Sequence, residues 1–523
     1  MGQGGQKPAA NTVSPLGTNF GPIADWTGEW AFIDAFRASR PWVSGSANQW
    51  DDGRIVSTDA NGWVSSLLPG QIARTAVLTS ERKPSGTYVV LYNGTGTIEY
   101  GDAASFDASL STPGRHVLQV GETNSGIVLY ITATTAGDPI RNIRVIMPGG
   151  TCSGDPFRFA KDSSGCANAG FFASFESVYA TNVFHPKFLE SIRAYRSLRF
   201  MNWSRTNGSA QTSWAGRPKT TDARWSTEKG APVEVMVALA NRIGAYAWFS
   251  IPHLADDDYV RQYARMVKHR LRPDLKAYVE YSNEVWNGFF AQSAYAQAQG
   301  LALGLSAGKE QALLFFYSKR SVQLFDIWSA EFGDPKRLVR VMAAQAGNPW
   351  TAVQALSFQD AALKTDALAI APYFGGNLGT PTEQTRVRAM NLDALFTELD
   401  TATLPQAIGM MKANSAVAGA RGIALIGYEG GQHLAGNGGV ENDAVVNALF
   451  DSANRDPRIG VLYRNYLNAW KATGAGIMHH FVNVGSYSKW GRWGALENLE
   501  QARSSAPKYD ALLSFIEQNP TPQ

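Results

Sequence analysis

Cysteine is almost missing from this chain of 523 residues: Cys152 and Cys166 are the whole supply. They lie in TCSGDPFRFAKDSSGCANAG, with neither CxxC spacing nor a neighbouring His pair, so zinc is not indicated. A local disulfide stapling a Gly/Ser/Asp-rich loop is the better reading, against two unpaired thiols, and it implies an oxidising compartment. Long apolar runs are missing too; none approaches the roughly 20 residues that span a bilayer. Charged residues make up 17% of the chain, where soluble domains usually carry roughly 25%. The 47 Lys and Arg against 44 Asp and Glu leave a net charge of +3 with no basic block. Nucleic-acid and membrane-surface binding therefore lack electrostatic support. Residues 1–14 have no apolar signal-peptide core and read as a polar linker, as in a processed export product. The expected location is secreted or periplasmic.

What is abundant is Gly, with 51, and large aromatics, with 15 Trp and 19 Tyr. Most aromatics serve core packing, yet such a composition also suits stacking on flat, uncharged, hydroxyl-rich ligands. From about 41 to 150, short alternating runs such as YVVLYNG, HVLQVG and GIVLYITAT are separated by Gly, Pro, Asn and Asp. Evenly spaced short strands with turn chemistry predict a β-sandwich. Beyond the cysteine loop, helical patterns alternate with strands at 198–203, 246–253, 275–284, 337–345, 366–374, 423–431 and 476–485. LGTNF supplies an eighth strand, followed by a helical pattern in EWAFIDAFRAS. Eight such units predict a closed (β/α)8 barrel over 15–40 and 151–523, with the sandwich (41–150) inserted near the N-terminus. No GxGxxG or P-loop follows any strand, so a doubly wound sheet has no support.

The most informative stretch is LKAYVEYSNEVWN (275–287). An alternating run stops on Asn283-Glu284, which puts a carboxyl and an amide at the rim of a sheet, with Trp286 and Asn287 just beyond. A carboxyl that protonates a leaving oxygen beside an amide that holds a hydroxyl suits a general acid acting on a sugar. Barrel chemistry belongs at strand C-terminal ends, and those ends carry Arg199 with Trp203, His253, Asn283-Glu284, Gln345, Tyr373, Glu429 and His479-His480. In ALIGYEGGQH, Glu429 follows an apolar strand, and Gly430-Gly431 let a substrate or backbone approach closely. Strands four and seven face each other across a barrel mouth, so Glu284 and Glu429 can bracket a bound sugar.

Together these residues resemble the retaining β-glycoside hydrolases of clan A, most specifically over 275–287 and 423–433. PLGTNF, NIRVIMPG and YSNEVWNG are also similar to segments of bacterial secreted proteins loosely labelled cellulose-binding. The resemblance implies that Glu284 is the acid/base and Glu429 the nucleophile, with Arg199 and Tyr373 keeping Glu429 ionised and oriented. It implies that Asn283 contacts the sugar 2-hydroxyl and that His253 lines the glycone subsite. Trp203, Trp286, Gln345, His433, His480 and Trp490 complete the expected substrate-binding set. The clan often places a Trp platform on strand eight; here that strand carries His479-His480, and Trp490 and Trp493 come later. The expected reaction needs no metal or organic cofactor. Its expected substrate is a neutral β-linked glycan, a β-glucan or cellulose-like chain first. The alternatives are a non-catalytic glycan-binding protein and a transglycosylase using the same Glu pair.

Overall fold

Eight short parallel strands close on one another in chain order: β1 (Leu16–Asn19), β2 (Ser197–Arg199), β3 (Tyr246–Ile251), β4 (Ala277–Tyr281), β5 (Leu338–Ala343), β6 (Ala367–Ile370), β7 (Ala424–Gly427) and β8 (Met478–His480). This is the expected (β/α)8 barrel. It is seen in a computed structural model that describes residues 9–80, 82–123 and 125–521. Closure depends on β1, which pairs Asn19 with Arg199 of β2 and Thr18 with His480 of β8. Gly17 must be glycine there: a Cβ would lie 2.4 Å from His479 Cδ2 and 2.8 Å from the Ser197 carbonyl oxygen. His479 fills that space and is fixed by two bonds, Nδ1 to the Gly427 carbonyl at 2.8 Å and Nε2 to Ser197 Oγ at 2.9 Å. A carbonyl only accepts, so Nδ1 carries the proton and Nε2 accepts from the Ser197 hydroxyl. Burial drives the His479 pKa down to about 3, which leaves a neutral packing residue.

The strands are shorter than their apolar runs. β4 stops at Tyr281 because Ser282 and Glu284 take left-handed φ values of 60° and 42°, which no ladder tolerates. The helix Asp257–Arg270 between β3 and β4 shows how the outer ring is specified. Asp256 caps it by accepting from the Tyr259 N–H at 2.7 Å. Asp257 and Asp258 fill its first turn and Lys268, His269 and Arg270 its last, both favourable to the helix dipole. Tyr259, Val260, Tyr263, Ala264 and Val267 form its buried stripe, and each large apolar side chain there contributes about 1.5–3 kcal/mol.

All barrel strands belong to a unit of residues 9–21, 194–217 and 233–521, while 22–193 with 218–232 make a second unit. The second unit holds two four-stranded sheets. One runs in the order Val43–Gly45, Ile72–Val77, Ile127–Thr134, Gly96–Asp102, and the other Arg141–Ile146, Gly86–Asn93, Arg115–Val120, Ala104–Phe106. Leu129 and Ile131 of the first, and Tyr88, Val90, Leu118 and Ile143 of the second, are fully buried, while Thr97, Glu99 and Gln119 are exposed. That alternation is the signature of a sandwich with one apolar face per sheet.

The helix expected in EWAFIDAFRAS is not formed; only Ala35–Ala38 make a single 3₁₀ turn. Phe32 and Asp34 instead bridge to Phe184 and Ile146, and Asp34 accepts from the N–H groups of Phe36 and Val145. Local side-chain bonds and sheet contacts outcompete the helical periodicity there. Cys152 and Cys166 form a disulfide across a sequence separation of 14. Closing a loop of that size stabilises the unit by about 3 kcal/mol. Among the described residues no helix is long and apolar enough to cross a membrane.

Candidate active site

Arg199, the last residue of β2, is completely buried, and the site is organised around it. Its Nη1 donates to Glu429 Oε1 at 2.8 Å and to Asn19 Oδ1 at 3.2 Å. Its Nη2 donates to Glu280 Oε2 at 2.9 Å and to Asn283 Oδ1 at 2.8 Å. The guanidinium carbon lies 5.0 Å from the Tyr428 ring centroid and 5.3 Å from that of Trp248. Burial works against its charge, but Glu280 and Glu429 more than offset this and Arg199 stays ionised. One cation is thus shared by two carboxylates.

Glu429 follows β7 and is buried. Besides Arg199 on Oε1, it accepts at Oε2 from the Tyr373 hydroxyl at 2.9 Å. Burial pushes its pKa up and the charge of Glu284 adds to that, while Arg199 and Tyr373 pull it down without prevailing. Glu284 differs in its partners. Tyr428 Oη donates to its Oε1 at 2.8 Å and Asn287 Nδ2 to its Oε2 at 2.8 Å, both neutral groups. Burial raises the Glu284 pKa also, and the charge of Glu280 reinforces it. Two carboxyls with elevated proton affinity therefore interact, one in contact with a cation and the other touched by neutral donors. The left-handed backbone at Ser282 and Glu284 costs about 1–3 kcal/mol per residue, a burden that concentrates at functional sites.

Several other expected residues join this cluster. Asn283 is buried, and its Nδ2 donates to Asn207 Oδ1 at 3.0 Å, one of the two amide hydrogens that group carries. Gln292, fully buried, steadies that corner by donating to Asn207 Oδ1 at 2.7 Å and to the Asn283 carbonyl at 2.8 Å. Tyr373 meets the His433 ring at 5.4 Å and Trp493 at 5.9 Å, while His433 and Trp493 lie 4.7 Å apart, edge to face. Gln432 fixes this aromatic wall by donating from Nε2 to the Arg492 carbonyl at 2.8 Å. His253, neutral because burial lowers its pKa, packs edge-on to Tyr295 at 5.3 Å. Trp286 and Gln345 are half-buried in the segments that follow β4 and β5.

Three expectations need correction, those for Trp203, His480 and the glycine pair. Trp203 is 1% exposed and packs on Phe20 and Phe200 at centroid distances of 5.0 and 5.8 Å, so it offers no face to a ligand. His480 is 3% exposed, with its Nε2 3.2 Å from the Tyr463 hydroxyl, and is a core residue. Trp490, 66% exposed with Lys489 over its ring, keeps an open face, while the half-buried Trp493 is the residue that meets Tyr373 and His433. Gly430 and Gly431 do allow a close approach, but by core hydroxyls: a Cβ would lie 2.4 Å from Tyr466 Oη and 2.6 Å from Tyr463 Oη respectively.

Two participants escape the strand-end reading. Glu280, fully buried inside β4, accepts at Oε2 from Arg199, from Trp248 Nε1 at 2.9 Å and from Ser250 Oγ at 3.2 Å. A charged residue within an otherwise apolar barrel strand is the signal that could have found it. Tyr428, beside Glu429, reaches Glu284 instead, and nothing in its spacing announces that.

No family model matches the chain, and no curated protein matches it. Among solved structures it is similar to a 4-O-α-L-rhamnosyl-β-D-glucuronidase from Fusarium oxysporum 12S, at 12% identity and a TM-score of 0.39, over 65% of this chain and 66% of that one. It is also similar to a GH51 arabinofuranosidase from Xanthomonas axonopodis pv. citri, at 13% identity and a TM-score of 0.36, over 59% and 62% of the two chains. A Bacteroidetes-affiliated GH5 cellulase matches at 12% identity and a TM-score of 0.36, over 67% and 92%. The chain spans just under two thirds of the first two structures' length. At such identities and scores none of them bears on what this chain does.

Proposed function

We propose that this chain is a retaining β-glycoside hydrolase acting on a neutral β-linked glycan, a β-glucan or cellulose-like chain first, in an oxidising, extracytoplasmic setting. The observation that carries the reading is the asymmetry of the two carboxyls: Arg199 contacts Glu429, while Glu284 is held by Tyr428 and Asn287. Burial raises the proton affinity of both, and of such an interacting pair the carboxyl beside the cation is the better seat for the negative charge and the one touched by neutral donors the better seat for the shared proton. Glu284 therefore starts as the acid and gives its proton to the glycosidic oxygen as the bond to the anomeric carbon breaks. Glu429, oriented by Arg199 and Tyr373, attacks that carbon and forms a covalent glycosyl-enzyme. Glu284, now a carboxylate, takes a proton from the incoming water, and the sugar is released with net retention. In this reading Asn283 gives its second amide hydrogen to the 2-hydroxyl, and Trp493 with His433 and Tyr373 forms the wall for the sugar ring. The low content of charged residues and the disulfide support the substrate class and the setting.

A polysaccharide screen with reducing-end detection, run beside Glu284→Gln and Glu429→Gln, tests this. A barrier contribution of the size typical of general acid catalysis predicts losses of about 10²–10⁴-fold for the acid. Full activity in both variants would sink the assignment.

A further inference from the structure

We propose that Tyr428 is a positioning residue that confines the transferable proton to Oε1 of Glu284 and steadies that oxygen after the proton has left. The proposal rests on Glu284 being the acid/base. Its first support is the orientation of Asn287. The Phe289 N–H, an obligate donor, points at Asn287 Oδ1 at 3.2 Å, so the amide must present Nδ2 to Glu284. Nδ2 only donates, so Oε2 of Glu284, 2.8 Å away, is held as an acceptor in every protonation state. The proton of the acid form therefore belongs on Oε1. At that oxygen, 2.8 Å away, stands the Tyr428 hydroxyl, a group that can accept from a carboxylic acid and donate to a carboxylate.

The tyrosine cannot drift with its partner. Its N–H donates to the Ile370 carbonyl at 3.0 Å, its own carbonyl accepts from Asn19 Nδ2 at 2.9 Å, and its ring lies against Arg199. It is 0% exposed, and burial with the charges of Glu284 and Glu429 keeps its hydroxyl protonated throughout the working range. The sequence of events balances simply. Oε1–H passes its proton to the leaving oxygen, the negative charge appears on the Glu284 carboxyl, and the Tyr428 hydroxyl donates to that carboxylate. When water attacks the glycosyl-enzyme, its proton returns to Oε1. Tyr428 gains and loses no atom in the cycle.

A hydrogen bond to a charged acceptor is roughly twice as strong as one between neutral groups, so removing the hydroxyl penalises ionised Glu284 more than protonated Glu284. Carboxyl titration by NMR, with ¹³C at the glutamate side-chain carboxyl, reads this without a substrate. The Glu284 signal is the one lost in Glu284→Gln. In Tyr428→Phe its midpoint should rise by about half to one pH unit. An unchanged or lowered midpoint overturns the proposal, because a tyrosine that merely packs would leave it in place. Should Tyr428→Phe fail to fold, Asn287→Ala decides: losing the donor locked onto Oε2 must also raise the midpoint, and no rise overturns the reading. Retained hydrolysis in Glu284→Gln and Glu429→Gln would instead remove the hydrolase reading, whatever the titration shows.

Discussion

Replacing Glu280 by Gln changes one atom type in the middle of the site and should be felt in two measurements. Glu280 Oε2 accepts three bonds, from Arg199 Nη2, Trp248 Nε1 and Ser250 Oγ, at 2.9, 2.9 and 3.2 Å. A glutamine oxygen can keep all three in place, so shape is preserved and only the charge is lost. Bonds to a charged group are worth about 1.5–3 kcal/mol against roughly 0.5–1.5 for neutral ones, so the Trp248 and Ser250 bonds each lose about 1 kcal/mol, while the Arg199 bond stays charge-assisted from its donor and loses only the attraction of the pair. Deleting the whole partner of a buried ion pair costs about 3–5 kcal/mol, an upper bound here because Arg199 retains Glu429. The expected destabilisation of the barrel is therefore about 2–4 kcal/mol.

Chemistry should shift with it. Arg199 no longer shares its charge, so Glu429 ionises more easily, and the acid limb of the pH–rate profile moves to lower pH. The charge of Glu280 also raises the Glu284 pKa, so its loss moves the alkaline limb the same way. Urea unfolding followed by tryptophan fluorescence at pH 7, and kcat/KM against pH on the best polysaccharide, measure the two effects. Stability within about 0.5 kcal/mol of the parent, with both limbs unmoved, would refute the idea that Glu280 shares Arg199 with Glu429. Glu280→Ala, which removes the acceptor from Trp248 and Ser250 and leaves Arg199 Nη2 only Asn283, should be the worse variant.

Glu429 binds a proton more tightly in the folded state than in the unfolded chain, so its contribution to stability falls as pH rises above about 4.3. Urea midpoints at pH 5, 7 and 8 should therefore move in favour of Glu429→Gln over wild type with rising pH; a constant difference would contradict the raised pKa. Gly17→Ala forces a Cβ into His479 and the Ser197 backbone, and should lower barrel stability by at least about 1–3 kcal/mol in the same unfolding assay. Trp493→Ala should raise KM several-fold, because it strips the wall beside Tyr373 and His433. Trp490→Ala, at an exposed ring whose backbone bond to Trp493 survives, should leave KM unchanged.

Counting strands brings the barrel within reach of the sequence alone, because hydrophobic periodicity and the strand–helix alternation are properties of local segments. It also predicts that Glu284 and Glu429 share a mouth, since both end apolar runs. What periodicity cannot separate is the two directions a side chain can take near such an end. Trp203 and His480 read like mouth residues and face packing instead, because a strand end carries polar and aromatic groups in both layers. Glu280 shares the alternation of Glu284, but it lies inside the run rather than at its end, so counting strand ends passes it by, and only barrel closure brings it to Arg199. Tyr428 is the sharpest case. Alternation assigns neighbours to opposite faces, so a tyrosine next to Glu429 should point away from the chemistry. β7 stops at Gly427, however, and past that point the alternation no longer applies. Tyr428 and Glu429 both turn toward Arg199, one with its ring and the other with its carboxylate. The early end of one strand is what places a phenol and a carboxylate, consecutive in sequence, on the two different members of the Glu pair.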